Sequence, residues 1–349
     1  MNYTKLQPLG WSSLYLQQLS LTELESLEET SGLFRIAAIH RSRITAVGEC
    51  GEVSLICPEQ YQPVSTFLAV GDWVLANASN EYYRIVKILE PKNRIQRAVA
   101  GKAKVIAANL DYLWIVTSAN EDFNLNRLQR FLALAHEFSI EPVIILSKID
   151  LSTGLARYQQ QLQTLNVGAV HAISLHDAAS LTQLQSYDFP GNSIALVGSS
   201  GVGKSSLINH LLGVEQAVAE IRADDDKGKH TTTHREMFFS ENGLAIIDTP
   251  GIRELQLVDA QQGIEQTFAN IVSLSEQCKF SNCQHQQDLG CAVFAALEKG
   301  ELQQSELNNY QKLLREDAFQ QRQLIGAHAQ RDHDRKFFKM IENHRKEKW

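Results

Sequence analysis

The segment Gly198-Ser199-Ser200-Gly201-Val202-Gly203-Lys204-Ser205 has the spacing G-x-x-x-x-G-K-[ST], a pattern of residue types able to hold the phosphates of a nucleotide. Its glycines let successive main-chain N–H groups close around phosphate oxygens, and the helix that follows adds the positive end of its dipole. Lys204 is expected to reach the β- and γ-phosphates and Ser205 to ligate Mg²⁺, with Ser206 next to it in the same phosphate-facing turn. The apolar run Ser193-Ile194-Ala195-Leu196-Val197 supplies the strand before the loop, and residues 204–212, stopped by Gly213, supply the helix after it. A glycine-rich turn without nucleotide is the plain alternative, and this strand–loop–helix setting disfavours it.

The loop does not distinguish ATP from GTP, but two other segments bear on that choice. Asp248-Thr249-Pro250-Gly251 has the D-x-x-G form, in which the aspartate supports Mg²⁺ through water and the glycine N–H senses the γ-phosphate. Ser147-Lys148-Ile149-Asp150 has the form of the guanine-reading N-K-x-D element, where a carboxylate accepts hydrogen bonds from guanine N1 and N2 that adenine cannot offer. Ser147 stands where asparagine is usual, and a hydroxyl keeps only part of an amide's hydrogen bonding, so weaker nucleotide affinity is the expected consequence. Between the phosphate loop and Asp248 lies Lys227-Gly228-Lys229-His230-Thr231-Thr232-Thr233-His234. It has the look of a first switch, one of whose threonine hydroxyls joins Mg²⁺; a loop with no metal role is the alternative.

Cys278, Cys283, His285 and Cys291 bring three thiolates and one imidazole into fourteen residues. That is a closed Cys₃His set for one structural Zn²⁺, with no position left open for catalysis. A disulfide between two of these cysteines is the competing reading, disfavoured in a reducing compartment. Cys50 and Cys57 read as ordinary small residues.

These residues must be positioned by a scaffold. From Arg35 to about Val99 the chain consists of short β-rich runs such as Ile36-Ala37-Ala38-Ile39 and Trp73-Val74-Leu75-Ala76, separated by turn signals. They suggest a small barrel, of the oligonucleotide-binding (OB) or the SH3-like kind. After about residue 105 strands alternate with helices, which implies a mostly parallel sheet covered on both faces. From about 260 the chain turns polar, helical and glutamine-rich around the cysteines. Residues 1–34 form a leucine-rich lead-in with no assigned function. Parts of 35–100, 101–258 and 259–349 follow as barrel, nucleotide domain and zinc-binding helical domain.

The net charge of −7 excludes a chain that coats nucleic acid by bulk electrostatics, though not local basic surfaces. Lys92, Arg94, Arg97, Lys102 and Lys104 form one such run, and Arg331, Arg335, Lys336, Lys339, Arg345, Lys346 and Lys348 another; a solvated linker and a solvated helix face are the plain readings. No apolar run approaches the roughly eighteen residues of a membrane helix, and the start lacks the blocks of a signal peptide, so a cytoplasmic protein without membrane partners is expected.

The motif order is unusual: the guanine-reading element precedes the phosphate loop, which precedes the switch threonines and D-T-P-G. In this order, in Val70-Gly71-Asp72-Trp73-Val74, Pro91-Lys92-Asn93-Arg94 and Ala107-Ala108-Asn109-Leu110-Asp111, and in the cysteine cluster, the sequence resembles the circularly permuted bacterial GTPases known as ribosome small-subunit-dependent GTPase A. The resemblance runs from about Arg35 through nearly the whole chain. It implies a circularly permuted Ras-like P-loop GTPase domain with an N-terminal OB-type β-barrel and a C-terminal zinc-binding helical module. It also implies a late assembly factor of the small ribosomal subunit that binds ribosomal RNA through the barrel, the 92–104 run and the tail, and whose GTP hydrolysis the subunit stimulates. A monomer is expected. By the same analogy Thr232 is the magnesium threonine, and Ser174 sits where a loop contacts guanine O6 through backbone N–H; a plain turn serine is the alternative. Ile252 follows D-x-x-G where many GTPases carry a water-orienting glutamine, so slow intrinsic hydrolysis is expected, with His230 and His234 nearby. The competing classes are an RNA-binding checkpoint that only senses nucleotide, and an ATPase.

Overall fold

The structure, a computed structural model, describes residues 3–27, 30–40, 43–79, 82–99, 102–165, 167–214, 236–248, 257, 259–286 and 288–322. Five strands open the fold: β1 (Ser31–Ile39), β2 (Ile44–Gly48), β3 (Gly51–Ile56), β4 (Trp73–Ser79) and β5 (Tyr82–Ile88). They run in the order β1-β2-β3-β5-β4, and β4 pairs back onto β1 to close the barrel, with β3 and β5 parallel and the other pairs antiparallel. This closure is that of the OB barrel, one of the two forms the strand pattern leaves open. Phe34, Ile36, Ala46, Leu55, Leu68, Val74 and Ile85 fill its interior.

The first strand begins at Ser31, ahead of Arg35, where the β texture of the sequence starts. Alternate residues of β1 serve two cores: Phe34 points into the barrel, and Leu33 joins Leu6, Trp11, Tyr15, Leu19 and Trp73 on the other side. The lead-in is therefore packed structure. Its last helix, Leu21–Ser26, opens with a capping box between Ser20 and Glu23, and Trp11 meets Trp73 edge-on at 4.9 Å.

A two-stranded ribbon, β6 (Arg94–Val99) and β7 (Lys102–Ala108), leads to the second sheet. The second sheet, continuous with the barrel through the antiparallel pairing of Glu236 in β12 with Ala38 in β1, holds β8 (Tyr112–Ser118), β9 (Glu141–Ser147), β10 (Ala169–Ala172), β11 (Ser193–Val197), β12 (Glu236–Phe239) and β13 (Ala245–Asp248) in the order β10-β9-β8-β11-β13-β12. All its pairs are parallel except β12 with β13. Trp114, Val116, Ile145, Ile194 and Leu196 face one covered side, and Leu113, Ile115, Ile144, Ala195 and Val197 the other, as expected of a doubly covered parallel sheet. After β10 the chain returns to place β11 on the far side of β8. Strand order reverses there, and ligands of such sheets bind outside the carboxyl ends at that reversal.

The barrel and this sheet meet at Arg35, which is 1% exposed. Its guanidinium donates to the carbonyls of Leu9 (2.7 Å), Gly71 (3.3 Å) and Asn109 (3.1 Å) and to Ser193 Oγ (2.8 Å). Burial lowers its pKa, and the charges of Tyr15, Asp111 and Asp72 oppose that. Around it Arg94 pairs with the fully buried Asp72 at 2.9 Å, Lys92 pairs with Asp111, and Asp111 also accepts from the Ser193 N–H. Two of the basic residues expected on an RNA-facing surface are thus engaged in ion pairs at the domain junction.

The C-terminal part comprises helices Gln261–Thr267, Ala269–Ser275 and Ala292–Glu298 and helical residues 304–322. It does have an apolar core, contrary to the polar reading of the sequence. Ile264, Phe268, Ile271, Val293 and Leu307 are buried together with helix Leu125–Glu137 of the nucleotide domain. Gly263 permits the contact, since a Cβ there would lie 2.1 Å from the Ala133 carbonyl. Gln129–Asn309 and Arg130–Glu316, both at 2.6 Å, fasten the same helix to residues 304–322.

Candidate guanine-nucleotide site and cysteine cluster

The phosphate loop leaves β11 through Gly198. Its φ of +140° and its close approach to the Val116 carbonyl, which a Cβ would meet at 2.1 Å, admit glycine alone. Gly201 and Gly203 also hold positive φ, and helix Lys204–Leu211 starts directly after them. Lys204 is 6% exposed; its amine donates to the carbonyl of Gly198 at 2.8 Å and to that of Ser199. Ser200 and Ser206 are exposed, Ser199 and Ser205 half-buried. β13 lies beside β11, with Ala195 opposite Ile247, so Asp248 leaves the sheet next to the loop. Ser205 and Asp248 offer the oxygen ligands that a hard cation such as Mg²⁺ requires.

The guanine-reading element leaves β9 two strands away. A cavity of about 190 Å³ joins it to the phosphate loop, with Ser147, Lys148, Asp150, Val202, Gly203 and Ser206 on its wall. Ser147 Oγ donates to the Val202 carbonyl at 2.7 Å and to the Thr117 carbonyl at 3.0 Å, and Lys148, held at φ +58°, reaches the Gly201 carbonyl at 2.6 Å. Asp150 is exposed at the mouth, and a hydrogen bond from the Ser174 side chain, the largest of several influences, lowers its pKa. It therefore stays a carboxylate throughout the neutral range.

Ser174 does not have the geometry expected of an O6 contact. Its N–H donates to Ser180 Oγ at 2.9 Å, and its hydroxyl serves Asp150 and the His176 N–H. Leu175, the next residue, lines the cavity together with Leu151, Ile173 and His176. None of these carries a sequence signal, because they are apolar or loop residues outside any motif. Thr232, Gly251, His230, His234 and Ile252 lie outside the described residues, as does the basic tail.

A further contact is not legible in the sequence. Asp122, in the loop after β8, accepts from Ser199 Oγ and pairs at 2.8 Å with Arg127 of the following helix, whose N-cap is Asn124. The carboxylate tethers the second residue of the phosphate loop while Arg127 offsets its charge. Asp122→Ala is expected to raise the release rate of fluorescent GDP by roughly threefold to tenfold, the worth of one charge-assisted hydrogen bond. An unchanged rate would remove Asp122 from the site.

In the C-terminal part, ligand atoms of Cys278, Cys283, His285 and Cys291 all lie within 4.8 Å of one another. Cys278 Sγ is 3.9 Å from Cys291 Sγ and 3.7 Å from His285 Nδ1, and Cys291 Sγ is 3.5 Å from Nδ1. Tetrahedral Zn²⁺, with bonds of about 2.3 Å to sulfur and about 2.0–2.1 Å to nitrogen, requires separations of about 3.8 and 3.6 Å. The sulfurs are too far apart for a disulfide, and all five cysteines are free. Ser275 Oγ donates to the Ile271 carbonyl at 2.8 Å, so at 3.1 Å it receives the His285 Nε2 proton and turns Nδ1, unprotonated, toward the thiols. The donor set fits zinc.

The chain is 41% identical to the small ribosomal subunit biogenesis GTPase RsgA 2 of Vibrio parahaemolyticus, over 97% of its own length and 92% of that protein's. It belongs to the RsgA GTPase family. The family's model, RsgA GTPase, matches residues 88–258, the span from the end of β5 past the D-x-x-G element. RsgA 2 of Listeria monocytogenes is 40% identical over 95% of this chain and 94% of its own. Among solved structures, YjeQ from Thermotoga maritima superposes with a TM-score of 0.62 at 24% identity, covering 81% of this chain and 97% of that one. YloQ, described as a circularly permuted GTPase, gives 0.59 at 24%, covering 82% and 95%. This member of the RsgA family accordingly has the permuted GTPase fold, and it is a GTPase. Among the described residues no helix is long and apolar enough to cross a membrane.

Proposed function

We propose that this chain is a cytoplasmic, monomeric GTPase of small-ribosomal-subunit assembly that binds ribosomal RNA and hydrolyses GTP under stimulation by the subunit. The observation that carries the nucleotide reading is the single cavity shared by Asp150 and the phosphate loop. Asp150 takes guanine N1 and N2, the Leu175 N–H takes O6 in place of the Ser174 N–H, and residues 198–206 take the phosphates. Lys204 leaves its two carbonyl partners for the β- and γ-phosphates, Gly251 N–H senses the γ-phosphate, and Ser205, Thr232 and, through water, Asp248 hold Mg²⁺, which neutralises charge on the phosphates when bound. One Zn²⁺ on Cys278, Cys283, His285 and Cys291 secures the loop between the C-terminal helices. The names of the relatives, small ribosomal subunit biogenesis GTPases, support the ribosomal role. RNA contact is assigned to the barrel of 35–100, to the 92–104 run and to the tail of the 259–349 part.

Multiple-turnover phosphate release from GTP, with and without small subunits, tests this. Wild type should be slow alone and accelerated by the subunit. Lys204→Ala should lower the stimulated rate by about a hundredfold, the cost of one transition-state charge contact. Equal wild-type rates with and without subunits would refute the ribosomal coupling, and GDP failing to outcompete ADP would refute the guanine reading.

A further inference from the structure

We infer that, among the described residues, Ser147 does not read the purine N7 of the bound nucleotide, so that the protein accepts guanine nucleotides altered at position 7 as readily as GTP and GDP. The inference rests on the guanine site proposed above and concerns the side chain at 147.

Around a guanine ring the edge atoms follow in the order N2, N1, O6, N7, C8, N9. With N1 and N2 on Asp150 and O6 at Leu175, N9 and its ribose must point to the phosphate loop. N7 then falls between Leu175 and that loop. Ser147 occupies this stretch of the wall, at the end of β9, with its hydroxyl in contact with the loop residue Val202.

N7 is an acceptor only, so reading it requires a donor. A serine hydroxyl has one proton. That of Ser147 is directed to two main-chain carbonyls, Val202 at 2.7 Å and Thr117 at 3.0 Å, in a position 7% exposed. One proton serves these two carbonyls by turns or shared, the shorter contact being to Val202, and turning it to N7 would take it from them in a buried setting, which costs more than the new bond returns. What Ser147 presents to the ring is lone-pair density, which N7 does not bind. The Lys148 amine, a further donor on this wall, is held by the Gly201 carbonyl at 2.6 Å. Serine at 147 therefore retains the brace between the base-reading strand and the phosphate loop and gives up a base contact. An asparagine amide has two protons, enough for the Val202 carbonyl and for N7 together.

The test is competition binding to the full-length protein with GDP, 7-deaza-GDP, in which a C–H replaces N7, and ADP. Wild type should bind 7-deaza-GDP within threefold of GDP, with ADP far weaker. Ser147→Asn should favour GDP over 7-deaza-GDP by roughly threefold to tenfold, the worth of one hydrogen bond. A wild-type preference for GDP above threefold overturns the inference while leaving the guanine reading standing, because GDP would still exclude ADP. Equal affinities in Ser147→Asn would mean that residue 147 does not face N7 and overturn it likewise. Should the variant not fold, the wild-type ratio alone decides. If GDP does not outcompete ADP, the guanine reading and this inference fall together.

Discussion

Asp150→Asn is expected to lower affinity for GDP by roughly a thousandfold and to create affinity for xanthosine diphosphate. A carboxylate has two acceptor oxygens for the donors at guanine N1 and N2. An asparagine amide keeps one acceptor and places an NH₂ against the guanine NH₂, leaving donors facing donors inside the bound complex, and sites built on such pairing discriminate by about four orders of magnitude. Xanthine keeps the N1 donor and carries a carbonyl at position 2, so the amide matches it. Because the Ser174 hydroxyl holds the Asp150 carboxyl below the usual carboxylate range, wild-type GDP affinity should show no loss from this group between about pH 8 and pH 5. Fluorescent-nucleotide competition with GDP, XDP and ADP on both proteins checks the exchange. Retained GDP affinity with no gain for XDP would show that Asp150 does not read the base.

The second large effect concerns the cysteine cluster. Cys283→Ser should abolish bound zinc, measured as one metal per chain in wild type and none in the variant. It should also lower Tm by on the order of 10 °C, because metal binding to such sites is largely folding free energy. The loss should be confined. Helices Gln261–Thr267 and Ala292–Glu298 are held independently by Ile264, Phe268 and Val293 against the nucleotide domain. Hydrogen exchange should therefore accelerate in residues 276–291 and much less in 261–275. A variant with undiminished Tm and no zinc would mean that the cluster does not fold around metal.

How far the sequence leads depends on whether a residue's role is local. The phosphate loop is legible because its glycines answer to backbone demands within eight residues, and the structure gives Gly198, Gly201 and Gly203 the positive φ such a loop requires. The alternation of strands and helices after residue 105 is legible for the same reason. The start of β1 is not. The β texture of the sequence begins at Arg35, yet β1 starts at Ser31, and Gly32 lies within it where a Cβ would come within 2.6 Å of the Phe34 ring. Lys92 and Arg94 read as a basic surface because their partners, Asp111 and Asp72, are 19 and 22 residues distant. The glutamine-rich C-terminal part hides a one-sided apolar stripe of Ile264, Phe268 and Ile271 that has meaning only against helix Leu125–Glu137. In the cavity beside the phosphate loop the motif marks Asp150 but not Leu151, Leu175 or His176, of which Leu175 and His176 touch it from a segment outside any motif. That the Ser174 N–H is already taken is visible only in its hydrogen bond to Ser180.

The junction at Arg35 also sets a timetable. Its guanidinium needs partners from Leu9, Gly71, Asn109 and Ser193, and the last of these is separated from it by 158 residues of chain. During synthesis at about 5–20 residues per second, the barrel, complete once β5 ends at Ile88, therefore stands for about 5–20 s before Ser193 is made. Throughout that interval a cation destined for the interior must stay hydrated. The two halves of the molecule can lock together only after the strand that carries the phosphate loop has emerged, so docking reports that the catalytic half has arrived.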